Sequence, residues 1–223
     1  MILSETASLT DLRKQFKRRI RQLAATSSSA VEDEIGNMFS DNAIADAINK
    51  SRRIVAMVFP SAREWCKRRA VITTVENVQE YSLDYEVRKI LSVLYDTEST
   101  GIRKASTYEA DDVETREMEE ACLTDAFNTP GITNPKYRIA NKGVRLIVST
   151  TGTVPADKYV QIEYVGEPAE LTTGSSYSGW PGTLNDIVID QSIWLLANED
   201  FPEIARVAGQ NVQLLLAAEK VKG

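Results

Sequence analysis

Acidic side chains are concentrated between residues 108 and 126, and paired carboxylates can serve as acid–base partners or as ligands for Ca²⁺ and Mg²⁺. The candidates are Asp111, Asp112, Glu114, Glu117, Glu119 and Glu120. The segment has no D-x-D-x-D-G calcium loop, and a helix would spread these carboxylates around its surface. We therefore predict a helix over 108–126 with a solvated or repulsive acidic surface. Its thin apolar strip consists of Val113, Met118, Cys122 and Leu123.

Other catalytic chemistry finds little support in the sequence. The chain has no histidine, which removes the commonest general base and the commonest transition-metal ligand. The Gly- and Ser-rich stretch at 172–183 matches neither a G-x-S-x-G nucleophile elbow nor a phosphate-binding loop. Cys66 and Cys122 lie far apart, which predicts two unpaired thiols in a reducing compartment. We expect no catalytic residue, no metal site and no cofactor, and a protein that is not an enzyme.

Charge is distributed unevenly along the chain, whose formal net charge is −6. Residues 1–24 carry six basic and two acidic side chains, and residues 50–69 carry seven basic and one acidic. Residues 70–130, in contrast, carry five basic and fourteen acidic side chains. This asymmetry indicates a molecule with two faces of opposite sign, although ordinary solvated helix faces are an alternative explanation.

A membrane location is not expected from the sequence. No apolar run approaches the roughly 20 residues that a membrane-spanning helix needs. The first residues, MILSETAS, also lack the basic-then-apolar layout of a signal peptide.

Helical periodicity is strongest between residues 40 and 69, which we interpret as the central helix of a small bundle. Ser40 or Asp41 can cap its first turn, and Pro60 predicts a break near Phe59. We expect the helix to resume through Trp65 to Arg69, where cations suit the negative end of the helix dipole. The predicted buried face consists of Ile44, Ala47, Ile48, Ile54, Val55 and Val58.

Three more helices are predicted. The first covers 8–23, begins with a Ser8–Asp11 capping box and has a basic outer face. Two closing helices cover about 184–199 and about 202–221. The inward residues of the last helix are predicted to be Ile204, Val207, Ala208, Leu214, Leu215 and Ala218, with Val212 and Leu216 outside that stripe.

The middle of the chain has the alternation and β-branched content of antiparallel strands. Strands are predicted at 70–75, 78–83, 88–96, 136–140, 144–150 and 159–165, with a turn at Glu76–Asn77 and a further block at 101–107 that pairs back. The fold class is therefore α+β: a helical bundle from the N- and C-terminal segments with a central antiparallel β-rich insertion. We expect a single domain over 1–223, in which 1–69 and 183–223 are helical and 70–182 is the insertion.

Several stretches, in this order, resemble a family of structural phage proteins. They are SDNAIADAINKSRRIVA at 40–56, ITTVENVQEYSLDYEVRKILSVLYD at 72–96, KYRIANKGVRLIV at 136–148, VQIEYVGEPAEL at 160–171, and the closing pair LNDIVIDQSIWLLANED and FPEIARVAGQNVQLLLA. Their succession resembles the head–tail adaptor (connector) proteins of tailed bacteriophages.

The resemblance implies a structural virion protein that forms a ring, usually of twelve copies, and docks under the portal. Such a ring extends the DNA channel and joins the capsid to the tail. The implied partners are the portal protein, the tail or a tail-terminator or nozzle protein, other copies of the chain, and genomic DNA that passes without specific binding. The implied location is the portal vertex of the virion, with the host cytoplasm during assembly and no membrane.

Three groups of residues acquire expected roles from this resemblance. The six acidic residues are expected to face the channel or a neighbouring subunit, because an acidic lumen repels phosphate. A basic intersubunit face is expected at Arg63, Lys67, Arg68 and Arg69. Docking onto the portal is expected at Leu214, Leu216, Lys220, Val221 and Lys222.

The alternative is a nucleic-acid-binding protein or another tail-completion protein. Nucleic acid could use the basic stretches at 13–21 or 52–69. The sequence isoelectric point of about 5.0 and the few aromatic residues beside the arginines argue against that use.

Overall fold

A computed structural model of the chain describes residues 7–26, 38–84, 86–97, 107–125, 128–140, 143–174, 176 and 178–222, with side chains except at 26 and 220–222. The chain divides into a helical unit, Met1–Cys66 with Pro168–Gly223, and a β-rich unit, Lys67–Glu167. The predicted α+β class, with β structure between N- and C-terminal helices, is confirmed.

The described residues form six helices. They are α1 Leu9–Thr26, α2 Asp41–Val58, α3 Pro60–Glu64, α4 Arg116–Thr124, α5 Gly182–Ala197 and α6 Pro202–Lys222. The predicted Ser8–Asp11 capping box is confirmed: the Asp11 amide donates to Ser8 Oγ at 3.1 Å, and the Ser8 amide donates to Asp11 Oδ2 at 3.2 Å. Ser40 caps α2 by accepting the Ala43 amide at 3.1 Å.

The central helix of the helical unit is α5, so the prediction that the segment from residue 40 is central was wrong. Helix α5 packs against α1, α2 and α6. Its buried residues lie all around the helix, from Leu184 to Ala197. Helix α2 buries a single face, and Val58, which was predicted to be inward, is 40% exposed. A helix that is apolar on every side suits the middle of a bundle better than an amphipathic one.

The inward face of α6 also differs from the prediction. Ile204, Ala208 and Val212 are buried, whereas Leu214 is 70% exposed and Leu215 is 43% exposed. The buried positions follow a four-residue spacing from Ile204, which places Val212 inward and turns Leu214 and Leu215 away.

The break at Pro60 is confirmed, but the helix does not continue to Arg69. Phe59 has an extended backbone and Pro60 is the first residue of α3. The Trp65 amide donates to Ala62 O at 3.2 Å and the Cys66 amide to Arg63 O at 3.0 Å, which tightens the last turn and ends the helix. The β-branched sequence that follows then forms a strand from Lys67 onward.

Eight strands are described, and together with α4 they make up the β-rich unit. They are β1 Lys67–Thr73, β2 Glu80–Ser82, β3 Val87–Asp96, β4 Thr107–Glu109, β5 Asp111–Asp112, β6 Lys136–Ala140, β7 Gly143–Ile147 and β8 Tyr159–Gly166. One sheet has the order β1-β8-β3-β4 and the other β2-β7-β6-β5. All neighbours are antiparallel except β5 and β6, which are parallel.

The predicted turn at Glu76–Asn77 is present, with Asn77 in the left-handed region at φ 60°. Its flanking strands do not form a hairpin, because β1 pairs with β8 and β2 pairs with β7. The last residue of the predicted 101–107 block begins β4, which pairs with β3, and its first six residues lie outside the described part of the chain.

The core of the β-rich unit contains a buried tyrosine whose hydroxyl group has no hydrogen-bond partner within the described part of the chain. Tyr95 of β3 is fully buried beside Val160, Ile162 and Leu146. Burial raises the pKa of Tyr95 to about 12, and it likewise raises the pKa of Tyr137 to about 12. The folded state therefore favours the neutral phenols.

We predict that the stability of the β-rich unit falls as pH rises from about 10, the pKa of an unfolded tyrosine, towards about 12. Over that range the unfolded state releases phenol protons that the folded state retains. Tyr95→Phe removes one of these groups, so its free energy of unfolding should fall less steeply with pH. At pH 7 the variant should be at least as stable as the wild type, because it loses an unpaired buried hydroxyl group.

Urea denaturation of both proteins between pH 7 and pH 11.5 measures this difference. Equal pH slopes for the two proteins would contradict the assignment of a neutral, buried Tyr95.

Candidate assembly surfaces

The six acidic candidates do not share one helix, and the predicted helix over 108–126 was too long. Asp111 and Asp112 form β5, Glu114 lies in the connection that follows, and the other three are in α4. Thr115 caps α4 by accepting the Met118 amide at 3.2 Å, so helical structure begins only at Arg116. Upstream, β5 pairs with Lys136 and Tyr137 of β6.

The two aspartates of β5 contact groups of β6. The Lys136 ammonium donates to Asp111, and the side chain of the lysine is only 3% exposed while that of Asp111 is 68% exposed. Tyr137 forms a side-chain hydrogen bond with Asp112. Partial burial and the charge of nearby Glu114 raise the pKa of Asp112, against the lowering effect of that hydrogen bond.

Glu119 differs from the other acidic candidates because it points into the β-rich unit. It is 7% exposed. Its carboxylate accepts from Arg138 Nε at 2.8 Å and from Arg145 Nε at 2.9 Å. Met118, predicted to belong to the inward apolar strip, is 47% exposed instead. Hydrophobic periodicity missed this arrangement because the inward residue of α4 is charged and its partners lie on β6 and β7.

The remaining acidic side chains face solvent. Glu114, Glu117 and Glu120 are exposed. Hydrogen bonds from its own amide and from Thr115 lower the pKa of Glu117, so it is charged at neutral pH. Glu120 accepts from Arg116 Nε at 3.1 Å, an exposed pair on one helix face. We define the acidic surface as Asp111, Asp112, Glu114, Glu117 and Glu120.

The four predicted basic residues are likewise divided. Arg63 lies in α3 and donates to the Met57 carbonyl. Lys67, Arg68 and Arg69 open β1, where Lys67 and Arg69 are exposed and Arg68 is half-buried. Arg69 donates to Gln161 of β8. The alternation of a strand therefore places Arg68 on the opposite face from Lys67 and Arg69.

An apolar groove runs along the helical unit between α2, α5 and α6, with a volume of about 800 Å³. Its apolar lining is Ile54, Val55, Val58, Phe59, Trp194, Val212, Leu214 and Leu216. Two of the predicted docking residues, Leu214 and Leu216, therefore lie on this groove. The side chains of the other three, Lys220, Val221 and Lys222, lie outside the described part of the chain.

Gly209 allows α6 to approach Trp194 at the groove. A Cβ at this glycine would lie 3.0 Å from Trp194 Cδ1, closer than side chains ordinarily pack. Trp194 is 40% exposed, so its indole forms part of the open apolar surface.

Among the described residues, no group of three or more Cys, Asp and Glu side chains is arranged to hold a metal ion. None of the helices, over the part that the structure describes, combines the length and the apolar character needed to cross a membrane.

We predict that Glu119→Gln destabilises the β-rich unit by about 1–3 kcal/mol, because two arginines lose their shared carboxylate while staying partly desolvated. Glu120→Gln is the matched control on the same helix. It should change the free energy of unfolding by less than about 0.5 kcal/mol, since its pair is exposed. Urea denaturation of the two variants and the wild type tests this; equal stabilities would contradict an anchoring role for Glu119.

Comparison with known proteins agrees with the resemblance drawn from the sequence. Residues 8–218 match the family model described as SU10 adaptor protein. None of the curated proteins matches the sequence. The matched range extends from the capping box of α1 into α6 and includes all of the β-rich unit. The chain therefore belongs to the SU10 adaptor protein family, and its role is that of a structural phage adaptor.

Proposed function

We propose that this protein is a ring-forming head–tail adaptor that docks under the portal, extends the DNA channel and joins the capsid to the tail. The observation that carries the proposal is the family match over residues 8–218, which covers elements of both units. In this role the protein needs no catalytic residue, metal or cofactor. Its location is the portal vertex of the virion, after assembly in the host cytoplasm.

The proposed partners follow from this position. They are the portal protein on one side, the tail or a tail-terminator or nozzle protein on the other, and further copies of the chain in a ring of about twelve, the number usual in the family that the sequence resembles. Genomic DNA passes through the lumen without specific binding.

The acidic surface supports a lumen or intersubunit position. A sleeve that passes DNA must not bind phosphate, and exposed carboxylates repel it. Asp111, Asp112, Glu114, Glu117 and Glu120 are the residues that would serve this purpose. Glu119 belongs to the same proposal only indirectly, because its carboxylate is already bound by Arg138 and Arg145.

Charge pairing between copies is the proposed ring contact. Arg63, Lys67, Arg68 and Arg69 of one copy would meet the acidic surface of the next. Such a contact joins two different patches, which is the heterologous arrangement that closes a ring by rotation.

The apolar groove is the proposed docking surface for the portal. Contiguous exposed apolar side chains commonly mark sites of protein–protein contact. Leu214 and Leu216 line the groove, and Lys220, Val221 and Lys222 follow in the same helix. A docked portal segment would cover Val58, Trp194 and Leu214 together.

The adaptor proposal predicts that the protein, mixed with portal rings of its own virus, adds a coaxial ring of density beneath them. Electron microscopy of the mixture, with rotational averaging, measures this and counts the copies. Leu214→Asp should reduce the decorated fraction at least about tenfold, because it places a charge in an apolar contact. Glu199→Gln, an exposed change in the turn before the same helix, is the control and should decorate portals normally.

Undecorated portals beside unattached wild-type protein, at both low and moderate salt, would contradict the adaptor proposal. Decoration that Leu214→Asp leaves unchanged would contradict the groove as the docking surface while leaving the adaptor role in place.

The proposed ring contact can be tested separately. Arg68→Gln with Arg69→Gln should lower the number of copies bound per portal or the completeness of the ring, and raising the salt concentration should weaken the wild type in the same direction. Arg21→Gln, which neutralises an exposed cation of α1, is the control. Complete rings from the double variant would show that these arginines do not hold neighbouring copies together.

A further inference from the structure

Strand β1 forms an open edge of its sheet. Within the described part of the chain its one strand neighbour is β8, and it is seven residues long, whereas the opposite edge strand β4 has three. An edge of this length presents a row of backbone groups to which another strand can bind.

The direction of the backbone groups on β1 follows from one hydrogen bond. The Thr74 amide donates to the Lys158 carbonyl at 2.7 Å, on the side of β8. Because successive amides of a strand point to opposite sides, the amides of Ile72 and Ala70 also face β8. The amides of Thr73, Val71 and Arg69 therefore face the open side, and the side chains of these three residues are exposed.

The side chains beside this edge define what a bound strand must look like. On the inner face, Ala70 and Ile72 are only partly buried against the core of the β-rich unit. On the outer face, Lys67 and Arg69 carry positive charge next to Val71, which is 60% exposed. A strand lying along this edge would place apolar side chains beside Ala70 and Ile72, and acidic side chains opposite Lys67 and Arg69.

We propose that the open edge of β1 binds an extended segment of another protein in which acidic and apolar residues alternate. The backbone amides of Arg69, Val71 and Thr73 donate to its carbonyl groups, and the cations of β1 pair with its carboxylates. This is recognition by strand addition, in which main-chain bonds supply affinity and alternate side chains supply selectivity.

Cations on an edge strand can also serve only to prevent unwanted pairing. On β1 the cations occupy the first three positions, whereas Ala70, Val71, Ile72 and Thr73 are uncharged. Val75, two residues beyond the end of the strand, is 57% exposed. If the cations served only for protection, the uncharged second half of the edge would remain open to unwanted pairing. The distribution of charge along β1 therefore favours a strand partner.

The inference does not depend on the proposed ring. Both proposals use cations of β1, but only strand addition also uses the outward amides of Arg69, Val71 and Thr73. Substitution at Val71 changes one of those amides and no charge, so failure of strand binding and failure of portal decoration are separate results.

The test uses a labelled ten-residue peptide of alternating valine and glutamate, with a valine–lysine peptide of the same length for comparison. Fluorescence anisotropy measures affinity, and amide exchange measured by NMR on the full chain locates the contact. Wild-type protein should bind the valine–glutamate peptide, and the peptide should slow exchange at Arg69, Val71 and Thr73 but not at Ala70 and Ile72, which are already paired with β8.

Val71→Pro removes one outward amide and leaves the ladder to β8 intact, since proline is tolerated on the open side of an edge strand. This substitution should weaken peptide binding about tenfold, because one main-chain hydrogen bond to the peptide is lost and the adjacent ones are weakened. Val71→Thr keeps the amide and should bind like the wild type. Arg69→Glu should shift preference towards the valine–lysine peptide. Unchanged circular dichroism of each variant confirms that the fold is retained.

The proposal would be overturned if the valine–glutamate peptide did not bind the wild-type protein. It would also be overturned if Val71→Pro bound that peptide as strongly as the wild type does. Slowed exchange at Arg69, Val71 and Thr73 that appears on concentrating the protein without peptide would also overturn it, because the edge would then bind a second copy of the chain.

Discussion

Backbone hydrogen bonding on both sides of β8 is the interaction on which the β-rich unit depends. β1 and β3 pair with it along nearly its whole length, and one face of β8 supplies Val160, Ile162 and Tyr164 to the core. Because β8 is paired on both sides, the edge on this side of the sheet, among the described strands, is β1. Within the described residues β1 therefore carries the basic sequence and is also an edge strand of its sheet, and this combination gives the unit a surface suited to a binding partner.

The helical unit depends in a comparable way on polar groups that fix its central helix. Asp190 of α5 accepts two hydrogen bonds from Arg19 of α1, at 2.9 Å and 3.0 Å. Ser192, two residues further along α5, donates to the Val188 carbonyl at 2.6 Å, and its Oγ lies 3.0 Å from Ser51 Oγ of α2. Buried polar groups that are satisfied in this way permit few alternative packings. With α1 and α2 held on α5, helix α6 buries only the face that contains Ile204 and Ala208, and Leu214 remains at the groove.

The features that the sequence predicted correctly are those decided by neighbours in the chain. The capping box at Ser8, the cap at Ser40 and the break at Pro60 each involve residues within four positions of one another, so their physics is visible without a fold. The errors concern residues whose partners are remote. Glu119 turns inward because Arg138 and Arg145 reach it from two strands, and β1 forms from Lys67 onward because it pairs with β8, more than ninety positions later in the chain. Hydrophobic periodicity records neither kind of partner.

The burial of Glu119 also changes how the acidic segment should be understood. Counting charges along the sequence gives every carboxylate the same weight, yet Glu119 is neutralised by two arginines and Asp111 is shared with a buried lysine. Glu120 likewise pairs with Arg116, so the field outside this surface comes mainly from Asp112, Glu114 and Glu117. Glu119 contributes by position instead of by charge, because its anchored carboxylate fixes the rotation of α4. That rotation keeps Glu117 and Glu120 on the solvent side, so a buried ion pair determines which carboxylates a neighbouring molecule or DNA would encounter.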